Sequence, residues 1–505
     1  MKVQTRFALL IALAACSAPA IVTAQPVPSR APTSTHIFPP GGKRGSTVAV
    51  RVGAECLPPG ADFHIVGAGV AGDARLIQRV AFDGEPSPRR APTEIPISYP
   101  KEWTAQVAID RQAPRGVVYW RVACAQGGTS CRPFIVSDLP NVIEQESNST
   151  PRAAQRVPIP AAVNGRISGE RDVDYFAVEL KRNERLSCDV IARRLGSPID
   201  PIVEIRGPDG ELAVVKTHAF GEDISLGLIA DRAGAYTIRV ANVSFHGDPS
   251  YVYRLHLTRQ PLAIFAYPPG GEARAQAQVA VTDIFGETQQ RTISLRDELG
   301  ESTYFHSAYG NGFQLASAAT AVVVESEPND TPDAATSIFL NRPAFGQSQR
   351  RDRDHFVVDV KKDRPVFLTC RGFPAGRGAL PVVTVVAGSD SKTIARARSV
   401  DAADRVCRLN WTPGEDGRVI VRVEDIRAAV QGGSDFIYEL TLRAGRPDFQ
   451  LHAAADVVNG RQGEKTTFDV RAERQGGFDE AIDLQVVGLP EGAKVEGGPI
   501  PAGKS

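Results

Sequence analysis

The chain has 505 residues, too many for one compact core, and a length of this order predicts roughly three to five domains. Its 58 basic and 58 acidic residues cancel, so no long-range field favours nucleic acid or an anionic membrane. Plentiful Gly (46) and Pro (37) suit short strands joined by turns and work against long helices.

The first residues read as an export signal. Lys2 and Arg6 form a charged start, and residues 7–15 a short apolar stretch. Two cleavage points compete. Val22-Thr23-Ala24 before Gln25 suits an ordinary signal peptidase, which gives a signal peptide of 1–24. Leu13-Ala14-Ala15-Cys16 resembles a lipobox and would make Cys16 a lipid anchor. No later stretch approaches the ~18 apolar residues of a membrane span.

Residues 25–35 read as a linker, and 36–137 as a first sandwich. His36-Ile-Phe-Pro39-Pro40-Gly41-Gly42 leads there into the strand Thr47-Val-Ala-Val-Arg-Val52. Next, His64-Ile-Val-Gly67-Ala-Gly69-Val-Ala-Gly72 spells a dinucleotide fingerprint. That motif needs a helix and a second parallel strand. Only about ten residues remain before Asp83-Gly84-Glu85-Pro86, so a glycine-rich turn between strands is expected instead.

Residues 138–260 form a larger unit. It opens at Glu144-Gln-Glu146-Ser-Asn148 and continues through Asp172-Val-Asp174-Tyr-Phe176. It closes on Gly234-Ala-Tyr236-Thr-Ile238-Arg-Val240 and Tyr251-Val-Tyr253-Arg-Leu255. The closing strands alternate apolar and polar, the period of a half-buried antiparallel strand. Asp209-Gly210 between two apolar runs signals a hairpin.

The pattern then repeats. Tyr267-Pro268-Pro269-Gly270-Gly271 opens a short module over 261–320. Glu325-Ser-Glu327-Pro-Asn329-Asp330 opens a second larger unit over 321–446. That unit continues through Asp352-Arg-Asp354-His-Phe356 to Phe436-Ile-Tyr438-Glu-Leu440. A partial module over 447–505 has strand-like runs at Phe449-Gln-Leu451, Thr467-Phe-Asp-Val-Arg471 and Ile482-Asp-Leu-Gln-Val-Val487. Its strands are too few to close a sandwich, and a fragment or an incomplete last module is expected. The expected fold class is all-β, a tandem array of β-sandwich modules.

On these residues the two larger units resemble the bacterial pre-peptidase C-terminal (PPC) domain, found on secreted peptidases and at the collagen-binding ends of collagenases. The second copy diverges more, with His355 for Tyr175 and Arg418-Val419 for Ala235-Tyr236. The resemblance implies a jelly-roll-like sandwich without activity of its own. The Pro-Pro-Gly-Gly units resemble Ig-like modules of the IPT/TIG type. The last segment is similar to a NEW3-type Ig-like module through Gly488-Leu-Pro-Glu-Gly492.

Catalytic patterns are missing from the sequence. It has no GxSxG and no HExxH, and its eight histidines are scattered. The acidic segments offer hard oxygens instead, the donors calcium prefers. Glu325, Glu327, Asn329, Asp330, Asp352 and Asp354 form the fuller expected set. Glu144, Glu146, Asn148, Asp172 and Asp174 form the weaker one, with Ser149 in place of the last linker aspartate. In the collagenase domains that these units resemble, such a segment and such a strand together bind calcium. The competing reading is a solvated linker, with the strand aspartates capping turns. Calcium apart, no cofactor is expected.

In an oxidising compartment Cys370 and Cys407, on two strands of one module, are expected to bridge, worth ~3–4 kcal/mol in the chain-entropy model. Cys188 lacks a partner in its module, and the pairing of Cys56, Cys124 and Cys131 stays open. The expected function is non-catalytic. It is an exported binding or display protein of the periplasm, cell surface or extracellular space, contacting polysaccharide or protein in a rod-like array. The alternative is the ancillary part of a longer secreted peptidase or glycoside hydrolase.

Overall fold

The computed structural model describes residues 31–505 except 78, 81–100, 218–222, 374–377, 388–391, 400–404, 446–447, 456, 461–462, 476–477, 490–491 and 505. The expected signal peptide and the expected lipid anchor at Cys16 lie outside the described residues. Among these, helix is confined to single 3-10 turns such as Pro151–Ala153 and Pro332–Ala334. None is long and apolar enough to cross a membrane.

Sheets that are antiparallel but for a short parallel edge strand pack face to face in successive sandwiches. In the first, Thr33–Phe38, Ser46–Glu55, Lys101–Ile109 and Val70–Gly72 form one layer. Gly41–Lys43, Arg132–Ser137, Gly116–Cys124 and Asp62–Val66 form the other. Val50, Val52, Trp103, Val107, Trp120 and Phe134 meet between them. The glycine-rich segment is a turn between Asp62–Val66 and Val70–Gly72, with Gly69 at φ +69°. A strand follows where a dinucleotide fold needs a helix.

The two larger sandwiches share one strand order. In the first copy it runs Asn141–Ile143, Ala161–Arg166, Val252–Thr258, Arg185–Ile191, Ile224–Ile229 in one sheet. The second copy repeats this with Val323–Val324, Ala344–Gln347, Ile437–Ala444, Val366–Gly372, Val406–Trp411. Tyr236, Ile238 and Val240 are buried as their alternation predicts. Ile202 to Arg206 pairs with Leu212 to Thr217 across the expected hairpin, where Gly210 takes φ +80°.

The acidic segments are not free linkers. Asn141–Ile143 pairs in parallel with Ala161–Arg166, and Val323–Val324 with Ala344–Gln347. Each acidic segment thus continues from a first strand of its own sandwich. The rod-like array is also corrected. The Arg115 guanidinium lies 4.5 Å over the Phe305 ring, joining the first and third sandwiches. Asn459 exchanges hydrogen bonds of 2.8 and 3.2 Å with the Gly128 backbone, bringing the last module back onto the first. In that last module Asp448–Ala453 pairs with Val470–Gln475. The expected strand at 482–487 is reduced to a single bridge between Ile482 and Ile500.

Cys370 and Cys407 are direct cross-strand partners, as the expected bridge requires. The two face each other across the strand pair and are unbridged in this structure. Burial pushes both thiols up, Cys407 to about 11, which starves exchange of thiolate. Cys188 is likewise a buried thiol, and Cys56, Cys124 and Cys131 are unbridged. Native protein prepared under reductant should therefore alkylate first at the exposed Cys56 and Cys131. Cys188, Cys370 and Cys407 should react only after denaturation, and mass mapping of native label at Cys370 would contradict this packing.

Candidate metal centres

Each acidic segment is pinned against the strand that follows it. The Tyr175 amide donates to the Asn148 carbonyl at 3.0 Å, and the His355 amide to that of Asn329 at 3.1 Å. This brings Glu144 and Glu146 onto Asp174, and Glu325 and Glu327 onto Asp354. In each trio the carboxylate oxygens lie within 4.8 Å of one another.

Asp174 and Asp354 are fully buried. Tyr253 donates its hydroxyl to Asp174 Oδ2 at 2.6 Å, and Tyr438 to Asp354 Oδ2 at 2.5 Å. The other oxygen, Oδ1, has no hydrogen-bond partner in either residue. Asn148 Oδ1, Asn329 Oδ1 and Asn329 Nδ2 are also buried and unpartnered. Backbone amides supply part of the rest: Arg166 to Glu144 Oε2 at 2.8 Å, Gln347 to Glu325 Oε1 at 2.5 Å, Asn329 to Glu327 Oε2 at 2.9 Å.

Burial and mutual repulsion raise every carboxyl of the two trios. Glu146 and Glu325 rise to about 7, and Asp354 to about 10. Glu144, Asp174 and Glu327 also rise, burial being the largest cause. Such a trio needs protons or a cation to stay together.

The structure divides the expected ligand sets. Asp172 and Asp352 stand outside the trios and cap turns, accepting from the amides of Ser168 and Gln349 at 2.6 Å. Asp330 is exposed and lies against Asp352, whereas Ser149 takes that place beside Asp172. The second copy therefore has five carboxylates in or beside its centre, and the first has four.

Sequence reasoning missed the tyrosines and the glycines that admit them. A Cβ on Gly165 would fall 2.1 Å from the Tyr253 ring, and one on Gly346 2.2 Å from the Tyr438 hydroxyl. Two Tyr-x-Leu strands placed opposite two glycines were the available signal.

Both centres lie at the seam with the preceding small sandwich. At the second seam the Tyr267 hydroxyl reaches Glu325 Oε1 at 3.5 Å, beside an apolar patch of Phe265, Phe345, Phe373 and Ile437. The first seam is polar. Glu102 is fully buried and takes His36 Nε2 at 2.9 Å and Arg166 Nη2 at 2.8 Å on Oε1. A carboxylate only accepts, so the His36 proton sits on Nε2. Burial opposes the charge of Glu102, but His36, Arg166 and Arg51 together hold its carboxyl below the usual range. Arg254, also fully buried, reaches Ser137 Oγ and Asn164 Oδ1 at 2.9 and 2.5 Å. It passes so close to Gly41 that a Cβ there would lie 3.0 Å from its guanidinium carbon.

Neither a scan against protein-family models nor a search of curated proteins finds a match. Solved structures do align. The pre-peptidase C-terminal domain of a collagenase from Bacillus anthracis is 16% identical, with a TM-score of 0.19, over 24% of this chain and 100% of that one. The M60 catalytic domain with two CBM51 domains from Clostridium perfringens ZmpB is 11% identical, TM-score 0.16, over 65% of this chain and 41% of that one. The SGBP-B protein of the Bacteroides ovatus mixed-linkage glucan utilization locus, solved with a mixed-linkage heptasaccharide, is 9% identical. Its TM-score is 0.14, over 80% of this chain and 72% of that one.

Proposed function

We propose that this chain is an exported, non-catalytic binding protein whose two larger sandwiches are PPC-type modules, each holding a calcium ion at its seam with the preceding Ig-like sandwich. The observation that carries this reading is the duplicated trio with a buried, donorless aspartate oxygen in each copy. The donors around it are carboxylates, an asparagine amide and tyrosine hydroxyls, an all-oxygen set that suits calcium over zinc or copper. The ion would offset two of the trio's three charges and tie the acidic segment to its strand. The seams so fixed present the array to an extracellular polysaccharide or protein.

Calorimetric titration of the full chain with calcium should resolve two sites, the second copy binding more tightly through its additional Asp330. Asp354→Asn should remove the tighter site alone. Absence of binding at ~10 mM calcium, well above the 10⁻⁴–10⁻³ M range of extracellular modules, would defeat the reading.

A further inference from the structure

The two seams carry matching trios but different walls. Strand register aligns them residue by residue. Phe38 opposes Arg51, while its counterpart Tyr267 opposes Ala280. Arg166 opposes Val252, while its counterpart Gln347 opposes Ile437. The first seam thus carries two arginines where the second carries an alanine and a glutamine.

At the first seam a cleft of 390 Å³ opens, lined by Phe38, Arg51, Glu144, Glu146, Arg166 and Ser168 among others. Two of the three trio carboxylates face it. Arg166 is held in the wall by Glu102 and lies 4.5 Å over the Phe38 ring. The Arg51 side chain is 39% exposed, its Nη1 3.6 Å from Glu102 Oε2. The Oδ1 of the buried Asp174, the third trio member, has no hydrogen-bond partner.

We propose that the first centre is a ligand site. Its calcium binds a uronate of an acidic polysaccharide in this cleft, and Arg51 pairs with the sugar carboxylate. This rests on the calcium reading above. Calcium takes six to eight oxygens. The first trio supplies three carboxylates, and two of them line an open cleft, so coordination positions remain for an outside donor. A uronate brings a carboxylate and neighbouring hydroxyls on one ring, several hard oxygens at once. A peptide carboxylate brings only two. A guanidinium matches the carboxylate geometry and discriminates against a neutral sugar. At the second seam the Tyr267 hydroxyl stands over Glu325 and no arginine replaces Arg51, so that centre is structural.

The test is calorimetry on the full chain with tetragalacturonate, with a neutral galactose tetramer and with polyglutamate, each in calcium and in chelator. Tetragalacturonate should bind in calcium only. Arg51→Gln should weaken it roughly tenfold, the loss of about one charge-assisted hydrogen bond. The variant should still titrate two calcium ions per chain, so the loss is read on the sugar. Asp174→Asn should abolish sugar binding and Asp354→Asn should leave it. If calcium titrates but tetragalacturonate does not bind, this inference fails and the calcium reading stands. If calcium itself does not bind, both fail. Equal binding of the galactose tetramer, or tighter binding of polyglutamate, overturns the uronate assignment.

Discussion

Glu102→Ala should destabilise the first sandwich pair by about 3–5 kcal/mol, the usual result of removing one partner from a buried ion pair. The loss is not the strength of two hydrogen bonds. It is the cost of leaving Arg166 buried without its carboxylate, beside a His36 ring whose Nε2 proton then has no acceptor. Burial also holds His36 below its ordinary pKa, so the ring stays neutral and supplies no countercharge to Arg166. Glu102→Gln keeps an acceptor for one of the two donors and should cost less. Urea unfolding of the full chain, followed by the fluorescence of Trp103 and Trp120 in the first sandwich, reads the effect. A shift under about 1 kcal/mol would mean that water enters the seam and screens the network. The second seam adheres without such a network, through Phe265 in the position of His36. The charged version therefore adds orientation and partner choice rather than adhesion alone.

Much of the fold was legible because period-two alternation records burial directly. Tyr236, Ile238 and Val240 face the core and Thr237 and Arg239 do not, as read. The duplicated acidic segment and aspartate strand marked two copies of one topology, and the strand orders agree. What failed did so for physical reasons. Polar composition offered a solvated linker as the competing reading of the acidic segments, yet each continues from a strand paired into its sheet, and Asn148 and Asn329 are fully buried. Of the expected ligands, Glu144, Glu146, Asp174 and their second-copy counterparts converge. Asp172 and Asp352 lie just before the strands that carry Asp174 and Asp354, in turns whose amides they cap, and strand alternation does not reach them. The tyrosines arrive from about 80 residues away in sequence, which no local motif records.

Calcium at ~10 mM should stabilise the second larger sandwich by about 1.5–3 kcal/mol at neutral pH, from mass action on a site of roughly 10⁻⁴–10⁻³ M affinity. The size of the gain depends on pH, and its sign follows from the raised carboxyls. Without the ion, burial lifts Glu325 from an ordinary 4.5 to about 7 and Asp354 from 3.8 to about 10. The folded chain then holds protons that the unfolded chain has released. The stability those protons confer is full below pH 4 and fades as pH rises through 7 toward 10. In chelator the melting temperature should therefore fall across that window as the trio ionises and repels itself. With calcium the fall should be cancelled, because the ion takes the place of the protons. Near pH 5 protons and calcium compete for the same oxygens, and the calcium effect should shrink toward zero. Glu327→Ala removes one trio member and should cut the neutral-pH gain while softening the fall in chelator. Thermal unfolding of the full chain at pH 5, 7 and 8.5, with calcium and with chelator, measures all of this. Identical curves with and without calcium at pH 8.5 would mean that the trio is a solvated cluster rather than an ion site.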